Sequence, residues 1–225
     1  MIVKILSNYG ALLVEAMGYT LLLALCGLFF ACILGLIFGL LSVVKSRVCN
    51  VISTIFVDVI RGLPMIVLAF FIYFGFPELV KQIVPGSRFT LSSLQAGTVA
   101  LALNCGAYMA EIIRAGIQSV DKGQMEAARS LGLPYWKAMR KVVLPQAIRT
   151  MIPSIINQFI ITLKDTSILS VIGFPELVNM AKIVVANTMS PFNVWLIVGV
   201  MYLIVITILS RLAKIMERRI NRGRT

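Results

Sequence analysis

Four adjacent polar residues interrupt an apolar stretch in the C-terminal half of the chain. Lys164, Asp165, Thr166 and Ser167 follow a run of mostly aliphatic residues. A zwitterionic ligand needs an acceptor for its ammonium group and a donor for its carboxylate, and these side chains could supply both. Two roles stay open for them: part of a substrate path near a broken helix, or a position at the polar end of the apolar segment.

Two further polar residues lie inside an apolar segment and share one helix face. Asn104 and Tyr108 are four residues apart, a spacing that puts both side chains on the same side of a helix. Both are therefore candidates to line a path for a polar solute. A hydrogen bond from Asn104 to a neighbouring helix is the alternative.

A third pair of residues carries opposite charges. Asp58 and Arg61 are three residues apart within an apolar stretch. Ionisable groups in such a position are candidates for function, but this spacing also allows the two side chains to pair with each other. We predict a structural ion pair within the membrane.

Several kinds of chemistry are excluded by what the sequence lacks. It contains no histidine and four cysteines without close spacing, which excludes histidine-ligated zinc or haem and a histidine-based catalytic triad. No G-x-x-x-x-G-K-[ST] phosphate loop occurs, so the chain is not expected to hydrolyse ATP. We expect no catalytic residue, metal or cofactor in this chain.

The elements that position these residues are membrane-spanning helices. Hydrophobic residues make up 59% of the 225-residue chain, charged residues only 13%, and the mean hydropathy is +0.95. About 20 apolar residues cross a bilayer as a helix. Residues 16–44, 89–110 and 183–210 meet this requirement, whereas 48–76 and 150–175 are interrupted. We predict an all-α, polytopic membrane helix bundle with about five spans, forming one domain over residues 1–225.

The distribution of basic residues predicts the orientation of the chain. The net charge is +12, and without an aromatic-interleaved basic stripe it is better explained by cytoplasmic loops than by nucleic acid. Most Lys and Arg residues fall near Lys45, in residues 114–149 and in the tail from residue 211. The opposite side has only Lys4, Lys81, Arg88, Lys164 and Lys182. This asymmetry places the N-terminus outside and the C-terminus inside.

A cytoplasmic loop of about residues 119–148 is predicted to form two short helices. Asp121 and Gln124 have the spacing of a capping box. Gly132 suits the left-handed position after a helix, and Pro134 suits the first turn of the next one. Pro145 is expected to end or bend the second helix. An amphipathic helix pair on the membrane surface is the alternative interpretation.

This loop carries a motif that spans twenty positions. The motif comprises Glu126, Ala127, Ala128, Gly132, Leu144 and Pro145. It resembles the EAA signature of ABC importer permeases, with Val142 where the family usually has Ile. Residues 58–64, 107–117 and 163–169 are similar to motifs of the histidine, glutamine, arginine and cystine branch, with Asp165 in place of the usual Glu.

The resemblance implies a type I ABC importer permease fold and a role in polar amino acid import. The six motif residues would couple to an ABC ATPase present in two copies, which would bind ATP and Mg. It also implies a second permease chain, identical or homologous, an extracytoplasmic amino-acid-binding protein, and a multi-pass position in the bacterial cytoplasmic (inner) membrane. The alternative is a stand-alone secondary transporter or channel for small polar solutes.

Overall fold

Residues 1–221 of the chain are described by a computed structural model, in which they form helices and connecting turns without strands. The α-helices are α1 (Ile2–Leu41), α2 (Arg47–Gly62), α3 (Met65–Phe70), α4 (Phe76–Ile83), α5 (Ser93–Gln118), α6 (Lys122–Ser130), α7 (Tyr135–Ala138), α8 (Leu144–Asp165), α9 (Leu177–Thr188) and α10 (Pro191–Asn221). The tail residues Arg222 and Arg224, which contributed to the predicted orientation, lie outside the described residues.

Within this part of the chain, five helical segments are long and apolar enough to cross a membrane. They are Ile2–Leu41, Met65–Ile83, Ser93–Gln118, Tyr135–Ile172 and Pro191–Ile215. The predicted number is confirmed, but two predicted bounds are wrong. The first helix begins at Ile2 instead of near residue 16. The predicted stretch 48–76 is divided because Leu63 has an extended backbone before Pro64, the conformation that a following proline favours.

The centre of the bundle is a close parallel contact between α1 and α5. Gly27 and Gly39 of α1 face Leu101 and Ile113 of α5, and a Cβ atom placed on either glycine would lie 2.7 or 2.8 Å from the opposing Cβ. Gly35, between them, faces Met109 in the same way. Small residues at four-residue intervals allow membrane helices to approach this closely.

Two prolines are accommodated inside helical segments by π-turns. The turns Phe71–Gly75 and Met139–Val143 come just before Pro77 and Pro145. The N–H of Phe76 donates to the carbonyl of Phe71, and the N–H of Leu144 donates to the carbonyl of Met139, five residues earlier in each case. The proline that follows has no N–H, so it leaves no donor without a partner. Pro145 is exposed and lies in the first turn of α8. Of the two predicted outcomes, an end to the helix at Pro145 is therefore wrong, and a bend there stays a prediction.

Helix α8 runs antiparallel to α5 and changes form at its end. Gly116 of α5 faces Met151 near the start of α8, whereas Asn104 and Asp165 line one cavity near the other end. After Asp165 the chain continues as a 3₁₀ helix, Thr166–Ile172. This change of helix type lies near the predicted helix break, directly after Lys164 and Asp165.

We expect Gly35→Val to lower the stability of the folded chain by about 1–3 kcal/mol, because the larger side chain would overlap Met109. Gly18→Val is the matched control, since Gly18 lies on the same helix with no neighbouring atom within 4 Å of an added Cβ. Melting temperatures of the detergent-purified variants measure the difference. Equal melting temperatures would contradict the close α1–α5 contact.

Candidate functional site

A polar cavity of about 580 Å³ lies beside the break between α2 and α3. Leu63 and Pro64 contribute to its wall, opposite side chains from α5 and α8. The break removes regular helix from this position, and irregular backbone at membrane depth is tolerated where it lines a cavity. The cavity is therefore suited to a polar solute.

Three of the predicted substrate-path residues line this cavity. Asn104 and Tyr108 reach it from α5, and Asp165 reaches it from the end of α8. The cavity is also lined by Arg61 and Gln158, which were not among the predicted substrate-path residues. Gln158 could have been found from its spacing, because it lies seven residues before Asp165, two turns along the same helix face.

The other three predicted path residues do not line the cavity. Lys164 is exposed, whereas Thr166 is fully buried. The hydroxyl of Thr166 donates to the carbonyl of Leu163 at 2.8 Å, and that of Ser167 donates to the carbonyl of Lys164 at 2.7 Å. Both hydroxyls bond carbonyls three residues earlier, where the α-helix passes into the 3₁₀ helix, which is a structural role.

The predicted ion pair between Asp58 and Arg61 is wrong. Among the described side chains, the ion pair within 4.0 Å joins Arg114 to Glu111. The Arg61 guanidinium instead lies over the Tyr108 ring, 4.9 Å from its centroid, at a distance typical of a cation–π contact. Asp58 and Arg61 are both exposed, and an exposed ion pair contributes little stability.

A second polar cavity, of about 430 Å³, continues from the first toward the loop between α5 and α6. Arg61 borders both cavities. Beyond it the lining includes Asp58, Glu111, Arg114 and Gln118. Polar side chains thus follow the same flank of α5 from the middle of the bundle to the end of the helix.

The loop between α5 and α8 begins with a capped helix. The Asp121 carboxylate accepts the N–H of Gly123 at 2.6 Å at the start of α6. The predicted capping box is not formed, because the Gln124 side-chain carbonyl accepts a bond of 3.3 Å from the Gln146 amide. This bond joins α6 to the first turns of α8.

The end of α6 has the geometry predicted for Gly132. Its φ is +85°, in the left-handed region. The N–H of Leu133 donates to the carbonyl of Ala128 at 3.2 Å, and that of Gly132 donates to the carbonyl of Arg129 at 3.0 Å. These two bonds form a Schellman motif, which ends a helix sharply.

The motif residues of α6 form a small exposed projection. Glu126 and Ala127 are exposed, whereas Ala128 is buried within the chain itself. Leu131, which is not one of the predicted motif residues, has 85% of its surface exposed at the tip. An apolar side chain presented on a rigid helix end suits contact with another protein.

These features define a polytopic transport component: five spanning segments, a polar cavity at a helix break and an exposed helical projection. The family model for the binding-protein-dependent transport system inner membrane component matches residues 10–222. The chain belongs to this family. Its membership confirms the predicted transport role and argues against a transporter that acts without a binding protein.

The chain is similar to known transport proteins over nearly its whole length. It is 36% identical over 208 residues to the "Glutamine transport system permease protein GlnP" of Escherichia coli (strain K12), covering 92% of each chain. It is also 36% identical over 221 residues to the "Probable glutamine ABC transporter permease protein GlnM" of Bacillus subtilis (strain 168), covering 98% of this chain and 99% of the relative.

Solved structures confirm the predicted type I importer permease fold. A chain in the crystal structure of an amino acid ABC transporter with histidines superposes with a TM-score of 0.87 at 36% identity, covering 95% of this chain and 96% of that chain. A chain of the inward-facing MetNI methionine ABC transporter gives 0.78 at 20% identity, covering 95% and 98%. The second match supports the fold alone.

We expect a cysteine at position 108 to react with a charged, membrane-impermeant thiol reagent, because Tyr108 borders a polar cavity. The variant is Tyr108→Cys in a background without the native cysteines. Ala107→Cys, at a fully buried neighbouring position, is the control and should react at least about tenfold more slowly. Similar labelling rates would contradict a water-accessible cavity at this face of α5.

Proposed function

We propose that this chain is the membrane-spanning permease subunit of an ABC importer that carries a polar amino acid into the cytoplasm. The observation that carries the proposal is the 580 Å³ cavity in which Arg61, Asn104 and Asp165 meet. The printed names of the relatives support the same class of substrate, since those proteins are described as glutamine permeases.

The cavity contains the groups that a zwitterionic amino acid needs. The Asp165 carboxylate accepts hydrogen bonds from the ammonium group, and the Arg61 guanidinium donates to the carboxylate. The Asn104 and Gln158 amides offer both donors and acceptors to a polar side chain. The volume is within the range of small-molecule sites. Of the four adjacent polar residues at positions 164–167, Asp165 is therefore the one that we propose contacts the substrate.

The energy comes from a separate ABC ATPase, present in two copies and binding ATP and Mg. The projection formed by Glu126, Ala127, Leu131 and Gly132 docks into a cleft of that subunit. Leu144, at the start of α8, packs with Met125 of α6 against one apolar cluster, and Pro145 follows it. The permease itself is not an enzyme, and closure of the two ATPases drives the change from inward-facing to outward-facing.

The complete importer contains two permease chains and an extracytoplasmic amino-acid-binding protein. The second permease is identical or homologous to this chain, and the binding protein delivers the substrate. The complex lies in the bacterial cytoplasmic (inner) membrane with the N-terminus outside and the C-terminus inside. The positive-inside rule supports this orientation, because α1 and α5 run parallel and basic residues follow both of their C-terminal ends.

We expect Gly132→Asp to prevent stable binding of the ATPase and to reduce uptake at least about tenfold. The substitution places a charge and a strained side chain at a position with φ +85°. Gly86→Asp is the matched control, since Gly86 has φ +86° and equally open surroundings but lies beyond the opposite end of the bundle. Mild-detergent purification of the tagged chain measures the ATPase that co-purifies. Equal ATPase recovery in both variants would overturn the docking assignment.

We expect Asp165→Asn to reduce amino acid uptake at least about tenfold, because a hydrogen bond to a charged group contributes roughly 1.5–3 kcal/mol. Lys164→Gln, a neutralisation at the adjacent residue outside the cavity, should leave uptake within about twofold. Uptake is measured in vesicles containing the importer and its binding protein, after ATPase recovery has been found unchanged. Equal losses in the two variants would contradict the proposed site.

A further inference from the structure

A third cavity, of about 810 Å³, lies between the end of α1 and the start of the α7–α8 segment. Its floor is apolar and includes Leu40, Val43, Ile117 and Leu144. Leu40 and Val44 retain 41% and 39% exposure, so the floor continues onto exposed apolar surface at the end of α1 and in the turn that follows it. This cavity contains none of the residues that line the two polar cavities.

The rim of the cavity is basic and aromatic. It includes Lys45, Arg129 and Arg140, and none of the described residues that line the cavity is acidic. The Lys45 ammonium lies 5.8 Å from the centroid of the Tyr135 ring. Trp136, on the same rim, has 73% of its surface exposed. Aromatic side chains of this kind are enriched where membrane proteins meet the headgroup region.

We propose that this cavity binds an anionic phospholipid of the inner leaflet. The lipid phosphate contacts Lys45, Arg129 and Arg140, while an acyl chain covers the apolar floor. A basic pocket between helices on the cytoplasmic side is a recognised arrangement for acidic lipid headgroups. The assignment to the inner leaflet depends on the orientation proposed above. The fit of a negative headgroup to the basic rim and of an acyl chain to the apolar floor does not depend on that orientation.

The combination of floor and rim favours a lipid over the other possible occupants. A small soluble anion would use the three cations but would leave the apolar floor open to water. A peptide from the ATPase would have no reason to follow the floor onto the exposed apolar side chains of Leu40, at the end of α1, and Val44, just after it. A phospholipid supplies both a negative headgroup and a chain that stays in the membrane.

A lipid bound here would join the docking projection to the membrane-spanning bundle. Arg129 belongs to α6, Lys45 follows α1, and Arg140 lies in the π-turn before α8. A single phosphate contacting all three cations would therefore bridge three elements that the backbone connects only through turns. The bound lipid would hold α6 against the base of the bundle.

The test compares two double variants that remove the same charge. Lys45→Gln with Arg140→Gln removes two rim cations, whereas Lys137→Gln with Lys141→Gln removes two exposed cations of the same segment that do not line the cavity. Each variant importer is reconstituted in vesicles of equal parts phosphatidylglycerol and phosphatidylcholine and extracted in mild detergent. The retained lipid is then quantified by mass spectrometry.

We expect the unmodified importer and the control to retain phosphatidylglycerol preferentially. The rim variant should lose this preference at least about tenfold, since each removed cation weakens binding to an anionic lipid about fivefold. Equal preference in the two double variants would overturn the proposal. So would a rim variant that keeps its lipid but loses the ATPase, because the rim would then be a protein contact. Uptake measured on the same samples separates failure of the lipid site from failure of the importer function.

Discussion

The constraint on which this structure depends is the need to satisfy backbone hydrogen bonds where water is scarce. The chain meets it by staying helical even through prolines. Pro77 and Pro145 each follow a π-turn, and neither has a backbone N–H that would need an acceptor. Regular helix is abandoned between Leu63 and Pro64 and again after Asp165. Both places border the 580 Å³ cavity. The polar site is therefore located where the backbone departs from its regular form.

The glycine contact between α1 and α5 determines which face of α5 is available to the cavity. Gly106 packs against Leu34 of α1, and Asn104 is two residues, or about 200°, away around the helix. Asn104 and Tyr108 consequently point away from α1 toward the break after α2 and toward α8. The apolar contact between α1 and α5 thus determines where Asn104 and Tyr108 point.

The sequence allowed some of these features to be predicted and not others. The number of spans followed from apolar length, and the left-handed conformation at Gly132 followed from local turn chemistry. The position of Arg61 could not be predicted by spacing from Asp58, because its ring partner, Tyr108, is on another helix. Lys164 and Asp165 point in different directions because they are adjacent on a helix. Which of them lines the cavity depends on how α8 packs, and the sequence does not show this.

The continuity of the segment Tyr135–Ile172 gives a physical link between the docking projection and the substrate cavity. The π-turn keeps this 38-residue segment helical through Pro145, and α8 continues past Pro153 as well. Near its N-terminal end, the Gln146 side chain donates a hydrogen bond to Gln124 of α6. Nearer its C-terminal end, Gln158 and Asp165 line the cavity. In the proposed importer, a movement of α6 imposed by the ATPase would reach the substrate-binding side chains through one helical element. A helix that ended at Pro145 would lack this connection.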